Sequence, residues 1–304
     1  MLLVFFTFLF FLTQGFFQEK LQRISAYTET LTVHAEKRNA DLFKIFSFGH
    51  APVGVDWLLI RFLASTSYIK ATEGEHALAY YDLDLATEVD SAFFELYMGG
   101  TNILVVILND KTGARELIGR GNDFRKNELW QYSSEFQKVF WPFPWQVPIL
   151  QAYVLLFEFD DLLGASKAFQ EAAKIPGGPP YLQNLAARLE KPGGQYEVGM
   201  RLLNFMIQTA PNEMAKEALE KKKRSLFIGQ TLFGMNFAYK NFLDTFPEYH
   251  KKRPFSGEEI RKYWKKFMFE NGYSIKDPWG GEFYLGENGQ IHSSIPHEKV
   301  LGLE

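Results

Sequence analysis

Apolar positions recur at helical spacing along most of this chain, and glycine and proline fall in the gaps between the runs. A first helix opens at Trp57-Leu58-Leu59-Ile60. Further helices are expected over 75–89, 92–108 and 111–122, then over 147–159, 162–174, 181–189 and 195–208. Gly177-Gly178-Pro179-Pro180 and Lys191-Pro192-Gly193-Gly194 supply two of the intervening turns. Gly99-Gly100 falls inside 92–108. Each glycine there costs about 1 kcal/mol relative to alanine, so close approach of another helix is expected to compensate. From 213 to 246 one long helix carries Met214, Ala218, Leu226, Leu232, Phe233, Phe237 and Phe242 on its apolar face. The pattern then changes. Ser256-Gly257-Glu258-Glu259 reads as a capping box, with a helix to Glu270 and a stop at Asn271-Gly272. Short strands at 282–285 and 290–293 flank Gly286-Glu287-Asn288-Gly289, a hairpin signal. A lone hairpin is marginal in water, so it is expected to pack on the preceding helix.

A spacing repeats inside the helices. Ala79, Leu83 and Ala86 are followed by Ala114, Ile118 and Gly121, by Ala165, Phe169 and Ala172, and by Gly199, Leu203 and Met206. The leading small residues lie 35, 51 and 34 positions apart. The long interval marks an insertion, 123–146, that contains Trp130, Tyr132, Phe136, Phe140 and Trp141-Pro142-Phe143-Pro144-Trp145. Two prolines one residue apart do not fit a helix interior, so 141–145 is expected to be extended. The insertion either covers the core or offers Trp141, Phe143 and Trp145 to a partner, because tryptophan is enriched at interface hot spots.

A period of about 34 residues, with small-x3-large inside a helix and a proline after it (Pro176, Pro211), resembles the tetratricopeptide repeat. The resemblance implies a mainly α, TPR-like helical solenoid of about four helix pairs over 44–211, which binds other proteins. Arg61 and Ala64 depart from it, standing where the repeat prefers Gly and Tyr. It makes Ala79, Ala114, Ala165 and Gly199 structural, and it puts Arg61, Glu95 and Asn102 on the concave side as candidate partner contacts. Asn102 reads equally as a satisfied buried amide.

Two narrower resemblances follow. Phe48-Gly49-His50 with Val55-Asp56-Trp57-Leu58 is similar to a bacterial subfamily of anchored repeat proteins, which implies an envelope scaffold or assembly component. Gly272-Tyr273 through Ser294, with Asp277-Pro278-Trp279-Gly280, is similar to the C-terminal end of type II secretion major pseudopilins. No pilin-like N-terminal helix is read here, so the tail is expected to be a stand-alone helix plus two-stranded β-hairpin. Asp277, Pro278, Trp279 and Gly280 are then a structural lock. Proline keeps Asp277 extended, glycine permits the reversal, and the indole covers the helix.

The expected divisions are an apolar leader at 1–17, a helical connector at 18–43, the repeats at 44–211, a long capping helix at 212–248 and the tail at 249–304. The leader, Leu2 to Phe17, is shorter than the ~20 residues of a comfortable membrane span. Two readings stay open. One is an uncleaved anchor in a bacterial inner membrane, with the bulk in the periplasm. The other is a cleaved signal, with Thr13-Gln14-Gly15 as a weak cleavage site.

Chemistry changes this picture little. The 304 residues carry a net charge of −3, which gives no basic excess for nucleic acid. Absence of cysteine excludes disulfides, thiolate metal sites and a cysteine nucleophile. The histidines form no close ligand pair, and no nucleophile elbow or phosphate loop occurs. Asp82 and Asp84 face different sides of a helix, so no calcium loop follows. Glu75-His76 reads as a helix-start pair. Lys221-Lys222-Lys223-Arg224 is either a solvated helix face or a contact for anionic lipid headgroups.

No catalytic residue, metal or cofactor is expected. The leading expectation is a non-enzymatic protein–protein interaction scaffold or assembly component of a bacterial envelope machine of secretion, pilus or motility type. The alternatives are a structural subunit of such a complex that binds through its tail, or an enzyme acting on the cell wall with paired carboxylates across a groove. The oligomeric state stays open.

Overall fold

The computed structural model describes residues 39–47, 50–64, 70–72, 74–210, 212–245, 258–277, 280–286 and 288–295. Among these the chain is mainly helical, with a two-stranded antiparallel hairpin near the C-terminus. The helices are α1 (Ala40–Phe46), α2 (Ala51–Ala64), α3 (Leu78–Val89), α4 (Phe94–Asn102) and α5 (Lys111–Asn127). They continue with α6 (Ser134–Phe140), α7 (Gln146–Phe159), α8 (Leu162–Lys174), α9 (Tyr181–Leu189), α10 (Gly194–Gln208), α11 (Glu213–Thr245) and α12 (Glu258–Glu270). The strands are β1 (Phe283–Leu285) and β2 (Ile291–Ser293).

Side-chain caps set several helix starts. Asp110 accepts the Gly113 N–H at 2.7 Å, and Asp161 does the same for Gly164 at 2.7 Å. Ser133 caps α6 through the Phe136 N–H at 3.2 Å. Each cap satisfies a backbone donor that the helix itself leaves unpaired. The stretch expected as one helix over 92–108 does not stay α-helical. Ile103–Ile107 widen into a π turn, closed by the Leu108 N–H on the Ile103 carbonyl at 3.0 Å. The insertion also holds more structure than expected. α5 runs past 122 to Asn127, a 3-10 turn occupies Leu129–Gln131, and α6 follows. Residues 141–145 leave the helical pattern, as the two prolines require, and so do Tyr132 and Ser133 before α6.

Helices adjacent in sequence pack together: α2 on α3, α3 on α4, α4 on α5, α7 on α8, α8 on α9, α9 on α10 and α10 on α11. α5 meets α7 across the insertion. The repeated small and large positions sit at these contacts. Ala114, Ile118, Ala165, Phe169, Ala172 and Leu203 are fully buried; Ala79 is only partly buried. A methyl group added at Gly121 would come within 2.7 Å of the Tyr97 ring, so the small residue lets α4 and α5 close. Gly100 is explained the same way, since its added methyl would meet Leu83 at 2.9 Å. Gly99 is not; it is exposed and has nothing nearby, so only one of the two glycines is compensated by close approach.

In the hairpin Phe283 faces Ser293, Tyr284 faces His292 and Leu285 faces Ile291. Phe283 and Ile291 join Trp264, Phe267 and Met268 of α12, and also Ile228, Leu232, Met235, Tyr239 and Leu243 of α11. Asn236 of α11 brackets the Ile291 backbone, accepting its N–H at 2.8 Å and donating to its carbonyl at 3.3 Å. The tail therefore does not stand alone. It completes its core with the second half of α11, and the described residues from Asn39 onward form one compact unit.

Two of the four residues expected to form the lock, Asp277 and Gly280, are described. Asp277 is buried; its N–H meets the Gly281 carbonyl at 2.8 Å, and its carboxylate accepts the Ser293 hydroxyl at 3.2 Å. Gly280 turns back at φ +90°. Pro278 and Trp279 lie outside the described residues, as do the leader 1–17, most of the connector, Phe48-Gly49, Pro211 and Ser256-Gly257. Among the described residues no helix is long and apolar enough to cross a membrane.

Candidate functional site

The insertion carries a chain of aromatic contacts. Trp141, expected as a partner anchor, is 1% exposed and belongs to the core. Its indole N–H donates to the Ala92 carbonyl at 2.7 Å, and its ring lies 5.0 Å from Phe94 and 5.2 Å from Phe124. From Phe124 a file of rings runs outward: Tyr132 at 5.7 Å, then Phe136 at 4.6 Å, then Phe140 at 4.8 Å. The outer end faces solvent. Trp130 is 71% exposed, Phe140 52% and Phe143 50%; Trp145 is half-buried. α6 buries none of its residues fully. Phe143 thus remains a candidate contact, Trp141 does not, and Trp130 and Phe140 take its place. Their aromatic identity was visible in the sequence, but not which rings face inward.

Three other expected contacts do not gather. Arg61 pairs with the buried Asp82 and lies over the Trp57 ring at 5.0 Å, so it closes α2 on α3. Glu95 is exposed. Asn102 lines a cleft to which neither Arg61 nor Glu95 contributes. Nor is the Asn102 amide fully satisfied: among the described residues its buried Oδ1 has no hydrogen-bond partner.

The basic run does not present one cationic surface. Four consecutive helical residues spread most of the way around the axis. Lys221 and Arg224 are exposed and Lys223 is half-buried. Lys222 turns inward, pairs with Glu158 and donates to the Tyr153 hydroxyl at 3.4 Å. Burial depresses the Lys222 ammonium pKa, but Tyr153 and Glu158 outweigh that and hold it above the usual lysine range. Burial pushes the Tyr153 hydroxyl pKa up.

A polar seam that the sequence did not announce joins helices one repeat apart. Arg120 bridges Asp84 and the Thr87 hydroxyl, the latter at 2.7 Å. Asp110 accepts the Ala77 N–H at 2.9 Å besides capping α5, and His76 Nδ1 lies 3.2 Å away. α3 begins only at Leu78, so Glu75-His76 precede the helix instead of starting it. The Tyr80 hydroxyl donates to Glu116 at 2.5 Å, and burial followed by that bond raises its pKa. Both Asp110 oxygens are committed to backbone donors, which makes this cluster a brace between α3 and α5. Its spacing of 33 to 36 residues was its only trace in the sequence.

One concavity among the described residues is a two-part cleft. An apolar chamber of about 210 Å³ lies between the α4 end with its π turn, α7, α10 and α11. A polar chamber of about 480 Å³ shares Val106, Ile107, Tyr153 and Leu219 with it and is rimmed by Lys70, Lys111, Lys221 and Lys222. Glu158, nearly buried, holds Lys222 and also Lys111 at 3.4 Å. Lys222 Nζ sits 5.5 Å from both the Tyr153 and Phe157 rings. Compared with protein-family models, curated proteins and solved structures, the chain matches none of them.

Proposed function

We propose that this protein is a non-enzymatic binding scaffold whose helices form a TPR-like solenoid and which engages a protein partner through its aromatic insertion. One observation carries the reading. Trp130, Phe140 and Phe143 are exposed on a segment that the buried Trp141 ties to the core. Large rings held in place bury much area at little entropic cost, which is how interface hot spots work. Helix-on-helix packing at the repeated small positions supports the solenoid part of the proposal. The sequence resemblances support a bacterial envelope setting for the scaffold, with residues 1–17 as its attachment to the inner membrane and its bulk in the periplasm.

Gentle detergent extraction followed by identification of co-purifying proteins tests the reading. Replacing Trp130, Phe140 and Phe143 together with alanine is expected to lose a stoichiometric partner while helicity and melting temperature hold. Unchanged co-purification with the triple variant would overturn it.

A further inference from the structure

α2 is apolar on nearly every side. Val55, Leu58 and Phe62 are buried in the core, where α2 packs on α3. On the other side Val53, Trp57, Ile60 and Leu63 are each more than half exposed. At about 100° per residue these four, with the exposed Pro52, fall within one arc of about 140°. α1, which packs on α2, exposes Leu42 and Ile45 as well. A helix that is apolar all round is ordinarily covered all round, by protein or by lipid. An apolar segment of about 10–14 residues is a core helix or an interfacial one, and α2 has 14 residues with core on one side only. We propose that the uncovered face of α2 lies in the surface of a phospholipid bilayer, a second membrane contact that rests on the reading of residues 1–17 as the attachment to that membrane.

Proximity favours lipid over a second copy of the chain or another protein. Only residues 18–38 separate the apolar leader from Asn39, and α1 and α2 are the first described helices after it. A stretch of that length reaches at most about 75 Å. A tether so short makes a second contact with the same bilayer intramolecular, so a modest apolar stripe is enough. A soluble partner gains no such advantage. Length sets the orientation. Fourteen helical residues span about 21 Å, short of the ~30 Å hydrocarbon core, so α2 lies in the plane of the surface and does not cross it. The polar groups fit a shallow position. The Trp57 ring carries the Arg61 guanidinium at 5.0 Å, and tryptophan favours the headgroup level. Arg61 itself is paired with Asp82, so its charge is already met by the protein. Asp56 is the one charged residue on the exposed arc. Its carboxylate suits the ammonium of a phosphatidylethanolamine or phosphatidylcholine head, and it limits insertion to the ~5–10 Å depth of an interfacial helix.

The chain has no cysteine, so a single introduced cysteine carries a label at one chosen place. Full-length Ile60→Cys, and Lys167→Cys on the exposed side of α8 as control, are labelled with a nitrobenzoxadiazole fluorophore. Each is reconstituted in phosphatidylethanolamine–phosphatidylcholine vesicles that carry doxyl-labelled lipid, and the vesicles are floated to report attachment separately. The chain is expected to float. A doxyl group near the lipid head is expected to quench the label at 60 at least twofold more than one at the acyl-chain end, and neither is expected to quench the label at 167. Val53→Glu with Leu63→Glu changes two exposed side chains; in the Ile60→Cys chain the pair is expected to abolish quenching while flotation and melting temperature hold. Flotation without lipid quenching at 60 would overturn this inference and leave the attachment through 1–17 standing, whereas failure to float would overturn both. Undiminished quenching in the folded Glu variant would also overturn it. A disulfide-linked dimer of unlabelled Ile60→Cys would assign the face to a second copy instead, and quenching at 60 by aqueous iodide alone would assign it to another protein.

Discussion

The body and the C-terminal region of this chain are built by opposite means, although α11 serves both. In the body most helices pack on the one before them, and the buried set runs from Val55 to Leu226. In the C-terminal region ten buried apolar residues, four of them aromatic, are drawn from α11, α12 and the hairpin. Asn236 and Ile291, which bond each other there, stand 55 positions apart. Near-neighbour packing spreads stability over many similar contacts. The small core concentrates it in a few rings, so the C-terminal region should open without the body.

The largest effects come from removing one ring in each core. Phe267 is fully buried and lies 5.2 Å from the Tyr239 ring and 5.6 Å from the Trp264 ring. Phe267→Ala is expected to cost about 3–5 kcal/mol. It should expose 258–295 to limited proteolysis while most helical signal survives. Trp141→Ala is expected to cost a similar amount, but to lower the main cooperative transition. If Phe267→Ala collapses all helicity in one step, the two regions are one cooperative unit.

A smaller effect sharpens the role of α11. Asn236→Ala leaves the Ile291 N–H without its acceptor, at a cost of about 1–3 kcal/mol. Hydrogen exchange should quicken in the hairpin and at the second half of α11, and stay unchanged over α7–α9. Equal protection in the variant would mean that α12 alone holds the hairpin.

The mildest effect is a pH dependence of the body. Burial holds the Tyr97 and Tyr153 hydroxyls above their ordinary pKa, and Tyr196 is pushed up to about 12. Lys222 is held high by Tyr153 and Glu158 against the effect of burial. Above about pH 10 the unfolded chain gives up these protons while the folded chain keeps them. Stability is therefore full below that pH and falls as pH rises through the folded values. The urea midpoint of the main transition is expected to drop between pH 8 and about pH 11. A flat midpoint would show that these groups titrate alike in both states.

The sequence by itself determined many of the elements. Helical spacing and glycine–proline punctuation placed α8 and α9 at their observed ends, and the hairpin signal located both strands, because these are local choices of backbone and side-chain period. The small residues at Ala114 and Ala165 announced close helix contacts for the same reason. Only the tertiary structure decided which side chains were already in use. Arg61, Lys222 and Trp141 look like available anchors in a linear chain, yet Asp82, Glu158 and the Ala92 carbonyl take them. The π turn and the cleft beside it arise where four helices meet. No local pattern encodes them, because a concavity is set by the distance between elements and not by the residues of any one of them.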